Sequence, residues 1–504
     1  GGGALERVDS VAALGEADSL ETTRVHEVFV ADGGVQVAAH DSRVSEARLA
    51  FFRLGADGRL AYRYGYRLRA GPGLHNGEHR VRQAGGGKLA FYDRLFIPRT
   101  GDTRVAAALP ALRREGAPIE ALRPLVTPGR LHRPAFPVEW HHDPVIHAVT
   151  VCEPGDDGVE CQATALYAPK GDVAHLSPRA AYVWGEHYDA LADEEEEEDD
   201  DEDDEEEPYQ PNPKVLYRLP LDGSPAAAVL VSGNPRDDRS ITETGDGHVS
   251  VFVLHDGWTR ASHSRLPVPA LLRVAPGDFG DGRGTVPRAR FRMVPNFPGP
   301  RHNRFVGGWL TYGNRPLDAY AASTGLFQQV RPGELGVGAL RADGGGEPAW
   351  LPVGRGVEGL APAGERAALV LCSCRDALQI ALLRLGEAPR LTGWVPRAGV
   401  GHWEGEVLGV AYREDGPDAG LVGLPVGFSP EPFYWRATAA AFFRHEGDTL
   451  RSFGELRVRG DPAGNRDVVP FFAHGRVFAL LGGDLVEAAE EGDRVRETRR
   501  ISLP

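Results

Sequence analysis

The sequence predicts an all-β fold, a single β-propeller of four-stranded blades. A recurring strand phrase and a composition rich in turn residues carry that reading. The phrase Leu49-Ala-Phe-Phe-Arg53-Leu54-Gly-Ala-Asp57-Gly58 returns as Lys214-Val-Leu-Tyr-Arg218-Leu219-Pro-Leu-Asp222-Gly223. It returns again as Ile380-Ala-Leu-Leu-Arg384-Leu385 and, loosely, as Ala441-Phe-Phe-Arg444-His-Glu-Gly447-Asp448. Each copy is an apolar strand ending in Arg, then a turn. Such units cannot bury their faces alone, so they imply a radial or solenoidal array. The 64 Gly and 39 Pro suit many short strands joined by many turns.

In chain order, residues 1–24 read as an extension, with a short helix over Asp9–Leu20 capped by Asp9 or Ser10. Residues 25–504 then divide into groups of four strands: 25–68, 88–168 (the loosest), 172–232, 240–294, 303–331, 358–397, 405–458 and 468–503. Eight blades are the favoured count and seven the alternative. Second strands such as Ala180-Ala-Tyr-Val-Trp184 and Arg476-Val-Phe-Ala-Leu-Leu481 are continuous apolar runs, as strands packed on both faces must be. A pair of β-sandwiches is the competing architecture, but the Arg-Leu phrase spreads over the whole chain and no linker interrupts it.

The formal charge of −16 is local. Asp193–Glu207 is an unbroken run of fifteen carboxylates, and without it 57 acidic residues face 56 basic ones. The run lies in an insertion, 185–213; Asp193, Glu198, Asp201 and Glu207 mark its course. A solvated loop is the commonest form of such a block, and a docking patch for a cationic partner or diffuse Ca²⁺ binding are its functional forms. No basic stripe exists, which argues against nucleic acid as a partner. No run of eighteen apolar residues occurs, so no transmembrane helix is expected. The chain opens Gly1-Gly2-Gly3 without Met, which suggests a removed leader. Cys152 and Cys161 flank a turn-rich loop and are expected to form a disulfide in an oxidising compartment; Cys372 and Cys374 are left undecided.

The segments Ala180–Trp184, Tyr217–Gly223, Gly420–Pro425 and Gly475–Gly482 resemble a bacterial, myxobacterial-type family of β-propeller-domain proteins. The resemblance runs from about residue 5 to the C-terminus. It implies a propeller fold and a secreted, periplasmic or outer-membrane-anchored location, and it carries no catalytic residues.

In four antiparallel strands A to D, the B–C and D–A connections leave from one end. That end collects the acidic run and the loops bearing Trp258, His402, Trp403, Tyr434 and Trp435, with Trp140 as a further aromatic. Long loops with aromatics on a rigid frame usually carry recognition. The expectation is therefore a non-enzymatic binding or scaffold module for a protein or glycan partner. A metal-dependent hydrolase or lactonase is the alternative. His141, His142 and Asp143 have the donor types that Ca or Zn takes, at a spacing that matches no known site; no cofactor is otherwise expected. A subunit of a larger envelope assembly is a third reading. No Gly-x-Ser-x-Gly nucleophile motif and no phosphate-binding loop occurs.

Overall fold

The strands of this chain are short, apolar in the middle and polar at their ends, and in a computed structural model they form eight successive antiparallel sheets. The structure describes residues 23–31, 34–41, 46–54, 60–69, 80–84, 87–97, 109–138, 144–187, 213–255, 268–294, 300–314, 334–374, 377–398, 410–427, 437–459, 468–473, 475–481 and 484–502. Among the described residues there is no α-helix, only short 3₁₀ turns. The expected helix over Asp9–Leu20 and the whole acidic run lie outside them.

The chain divides into two compact units. One holds Val8–Val249 with Val274–Arg290. Its first sheet runs Thr23–Ala31, Gly34–Asp41, Glu46–Leu54 and Leu60–Arg69. The second runs Arg80–Gln83, Leu89–Phe96, Val145–Pro154 and Val159–Ala168. The third runs Gly171–Leu176, Ala180–Glu186, Lys214–Pro220 and Ala227–Val231. The 88–168 group reads loosely in sequence for a reason visible here. Between its second and third strands, Ala111–Arg114 leaves to pair with Leu60–Arg69 of the first sheet. Leu131–His132 then adds a parallel edge to Val159–Ala168.

The other unit holds Ser250–Arg273 and Phe291–Pro504. After the strands Val268–Val274 and Phe291–Met293 of the fourth sheet come four sheets of four strands each. The fifth is Pro300–Val306, Trp309–Asn314, Gly336–Arg341 and Ala349–Pro352, so the expected 303–331 group closes too early. Its third strand, Gly336-Val-Gly-Ala-Leu-Arg341, has two glycines and few bulky residues, which disguises it as a turn. The sixth, seventh and eighth sheets span Val357–Ala398, Ala411–Arg457 and Val468–Ser502.

Alternation explains why neighbouring sheets must pack. In the sixth sheet Leu369, Leu371, Ile380 and Leu382 join a core with Val422, Leu424, Ala441 and Phe443 of the seventh. The residues between them, Val370, Cys372, Ala381 and Leu383, join Val306, Val337 and Ala339 of the fifth. Successive side chains point to opposite faces, and both faces are apolar, so one sheet needs a neighbour on each side. The second and third sheets are fused in the same way, through Tyr92, Val149 and Leu166 against Val183, Val215 and Tyr217.

The repeated Arg has a structural role. Arg53, Arg218, Arg384 and Arg444 all lie at or within two residues of the end of a third strand. From there Arg384 reaches Asp418 in the first turn of the next sheet, and its guanidinium holds that carboxyl below the usual carboxylate range. Arg444 reaches Glu490 near the end of the third strand of the eighth sheet. Arg273, at the end of a third strand in the fourth sheet, donates to the Asp343 carbonyl of the fifth at 3.0 Å. The phrase is thus a strand that fills two interfaces and a cation that ties its end to the next sheet.

Cys152 and Cys161 face each other across the Val145–Pro154 and Val159–Ala168 hairpin and are bonded. Closing a loop with a separation of 9 residues restricts the unfolded chain by roughly 2–3 kcal/mol. The double variant Cys152→Ala/Cys161→Ala should therefore lose that much in urea denaturation; an unchanged midpoint would show that the bridge contributes nothing. Turn geometry gives a second expectation. Gly393 and Gly447 have nearly equal positive φ, 56° and 55°. A Cβ at Gly447 meets nothing within 4 Å, whereas one at Gly393 falls 2.5 Å from the Leu450 backbone nitrogen. Gly447→Ala should lose about 1–2 kcal/mol from left-handed strain alone, and Gly393→Ala more than about 3 kcal/mol. Equal losses would refute the account of the Gly393 contact.

Candidate functional site

The turns of the last four sheets carry much of the charge on their ends, and most of it is paired among the described residues. Between the sixth and seventh sheets, Arg384 pairs with Asp418, and Arg390 with Asp448 at 2.8 Å. Between the seventh and eighth, Arg413 and Arg444 share Asp415 and Glu490. The pattern breaks between the fifth and sixth. There a cleft of about 630 Å³ opens, and Glu365, Arg366 and Glu387 on its wall form no ion pair among the described residues.

This cleft is built by four turns. Gly307-Gly308 turns the fifth sheet into its second strand and delivers Trp309 to the rim. Gly307 lies so close to the sixth sheet that a Cβ there would collide with the Glu365 carbonyl oxygen. Trp309 stands opposite Arg341 in the strand register and packs partly on the core shared by the fifth and sixth sheets. The next turn is held by Asp343, which accepts from Arg341 Nε at 3.1 Å and from the Gly345 amide at 2.7 Å. Arg341 pulls the Asp343 carboxyl below its ordinary range, and Asp343 raises the guanidinium in turn. That pair is therefore committed. The sixth sheet supplies Glu365 and Arg366 just before its second strand and Glu387 just after its third, joined by a 2.8 Å hydrogen bond from the Leu385 amide to the Arg366 carbonyl. Adjacent strands lie about 4.8 Å apart, so the two glutamates hang from ends roughly 5–10 Å from each other.

The residues expected from sequence fall elsewhere. Trp140, His141, His142, Asp143, Trp258, His402, Trp403, Tyr434 and Trp435 lie outside the described residues, as do Asp193, Glu198, Asp201 and Glu207. Among the described residues no group of three His, Cys, Asp or Glu side chains is arranged to hold a metal. Cys372 is a free, buried thiol; burial and nearby Glu358 push it up to about 12, so it is no nucleophile at neutral pH. Sequence reading missed Glu387 because the third-to-fourth-strand turns look terse and free of aromatics, and missed Trp309, Glu365 and Arg366 because they stand at first-to-second-strand turns, at the end opposite the aromatic loops. The available signal was the phrase Ala339-Leu-Arg341-Ala-Asp343-Gly344, a further copy of the repeat placed beside Gly307-Gly308-Trp309.

A smaller depression, about 460 Å³, sits at the tip of the disulfide hairpin among Tyr66, Glu153, Asp157 and Glu160. Lys88 pairs with Glu153 at its edge, at 2.8 Å.

No family model matches the sequence, and no curated protein matches it. The resemblance to a family of secreted bacterial propellers thus finds no support from family models; what stands of it is the β-rich architecture. Solved structures that match include a puromycin-hydrolysing peptidase of Mycobacterium tuberculosis, with 13% identity and a TM-score of 0.34 over 85% of this chain and 54% of that one. A prolyl endopeptidase matches at 11% identity and a TM-score of 0.38, over 93% and 55%. A post-proline cleaving enzyme from Rickettsia typhi matches at 7% and 0.30, over 94% and 50%. The chain spans about half the length of these proteins. All three are hydrolases, and the expectation of a non-enzymatic binding or scaffold module is corrected on that finding. The aromatic loops that suggested it also lie outside the described residues. Likeness of this size concerns the course of the backbone and assigns no reaction to this chain.

One buried group makes a pH-dependent contribution. His147 is fully buried between Tyr92 and Tyr217 in the interface of the second and third sheets. Its Nε2–H donates to the Pro169 carbonyl at 3.0 Å, which leaves Nδ1 to accept from the Tyr92 hydroxyl at 2.9 Å. Burial pushes its pKa down to about 4. The unfolded chain takes up a proton near pH 6.5 that the folded one refuses. Stability is therefore full above about 6.5 and falls as pH drops toward 4, by an amount on the order of 3 kcal/mol. His147→Gln should flatten the slope of unfolding free energy against pH between 6.5 and 4 by about one proton; an unchanged slope would refute the assignment.

Proposed function

We propose that this chain is a hydrolase working at the cleft between the fifth and sixth sheets, with Glu365 and Glu387 as its acid–base pair. The carrying observation is the interruption of a recurring pattern of ion pairs among the described residues. Hydrolysis requires one group to take a proton from water and another to give one to the leaving atom, and two carboxylates free of guanidinium partners supply both roles. Arg366 stands beside them as a donor for the charge that develops on the substrate oxygen.

The framework we propose for this site is a closed eight-bladed propeller formed by the eight sheets, residues 25–504. Successive two-sided packing of each sheet within its unit supports that reading, as does the four-strand rhythm. The Cys152–Cys161 bridge supports an oxidising, extracytoplasmic location. Among the described residues no helix is long and apolar enough to cross a membrane. A Ca or Zn ion at His141, His142 and Asp143 would be an addition to this scheme, and elemental analysis of the purified protein reads it directly.

The test is a survey of chromogenic esters, lactones, amides and glycosides, followed by substitution. Glu365→Gln and Glu387→Gln should each lower kcat by about 10²-fold or more with little change in KM. Activity on a substrate of the wild type that survives both substitutions would overturn the assignment.

A further inference from the structure

We infer that the cleft takes a neutral oligosaccharide, seated on the Trp309 ring. This rests on the hydrolase reading and names its substrate class. Apart from Trp309 and Leu385 the lining residues are charged or glycine, and apolar atoms still make up more than half of the exposed lining. A ligand with both apolar faces and hydroxyls matches that mixture. A hydroxyl-rich one finds a fork of donors in Arg366 and carboxylate acceptors in Glu365 and Glu387 within one site. The indole supplies the flat apolar face on which the C–H side of a sugar ring lies.

Charge narrows the class. Four carboxylates, Asp343, Glu347, Glu365 and Glu387, face two guanidiniums, Arg341 and Arg366. Arg341 is engaged by Asp343. Arg292 lies 3.8 Å from Glu347 and Arg273 acts on Asp343, so the carboxylate excess that remains is at Glu365 and Glu387 beside Arg366, where it disfavours uronic acids and sulfated chains. Shape agrees with a chain segment. Gly307, Gly345, Gly346 and Gly386 bring bare backbone to the walls, so a ring can approach closely. The volume of about 630 Å³ lies within the usual range for small-molecule sites, about 300–1,000 Å³. Trp309 packs partly against the core shared by the fifth and sixth sheets, so part of the indole is held in place before a ligand arrives.

Isothermal titration with maltohexaose, cellohexaose, chitohexaose and a hexamer of galacturonic acid tests this. At least one neutral hexamer should bind the wild type, and the galacturonate should not. Trp309→Ala should weaken binding by at least about tenfold, and Trp309→Phe should restore it to within about threefold. Both variants are checked by thermal melting, so a loss through misfolding is separated from a loss of the platform. The inference is overturned if no neutral hexamer binds, if folded Trp309→Ala binds as the wild type does, or if galacturonate binds equally well. Binding without cleavage upholds this inference and sinks the hydrolase reading; cleavage of other substrates without oligosaccharide binding does the reverse.

Discussion

Burial on both faces of every middle strand is the constraint from which the rest of the structure follows. A strand such as Ala367–Cys374 sends Leu369 and Leu371 to one side and Val370 and Cys372 to the other, and all four are fully buried. Each such large side chain contributes roughly 1.5–3 kcal/mol when removed from water, so a lone sheet of this kind would leave most of that stabilisation unrealised. Only a neighbour on each side recovers it. The chain therefore lays down sheet after sheet, each the partner of the one before, within each of its two units.

The ends of the sheets answer a different requirement. Tight turns leave backbone groups and strand ends near water, and the interfaces there are held by charge. Arg384 to Asp418 and Arg444 to Glu490 are the same device used twice, a cation near the end of one third strand reaching an acid at a strand end or turn of the next sheet. Exposed pairs of this kind add little stability singly. Their value is register: they fix how far one sheet slides along the next, which apolar contacts specify only weakly. Where the pairing stops, beside Glu365, Arg366 and Glu387, a cleft lined largely by charged residues and glycines lies between the turns of the two sheets. The candidate site is thus a local departure from the rule that builds the fold.

Inside, polar groups are tolerated where a partner is built in. His147 keeps its neutral form because one ring nitrogen meets the Pro169 carbonyl and the other the Tyr92 hydroxyl. Arg94 caps the same interface by donating to the Gly171 carbonyl at 2.6 Å. These contacts make the interface of the second and third sheets specific as well as apolar, and they make it sensitive to acid.

The chain's pattern alone determined the strand class, the four-strand rhythm, the Cys152–Cys161 bridge and the position of the acidic run between a second and a third strand. Those features are local: alternation, turn residues and short spacings act within one hairpin. The fifth sheet was misjudged because its third strand is built for close approach, with Gly338 lying against the Tyr312 ring where other strands carry apolar bulk. The cleft was illegible for a deeper reason. Glu365, Arg366 and Glu387 look like any exposed turn charges, and Arg384 and Asp418 look the same. Only packing decides which charges find a partner across an interface and which do not, because pairing depends on distances between turns that sequence spacing does not encode.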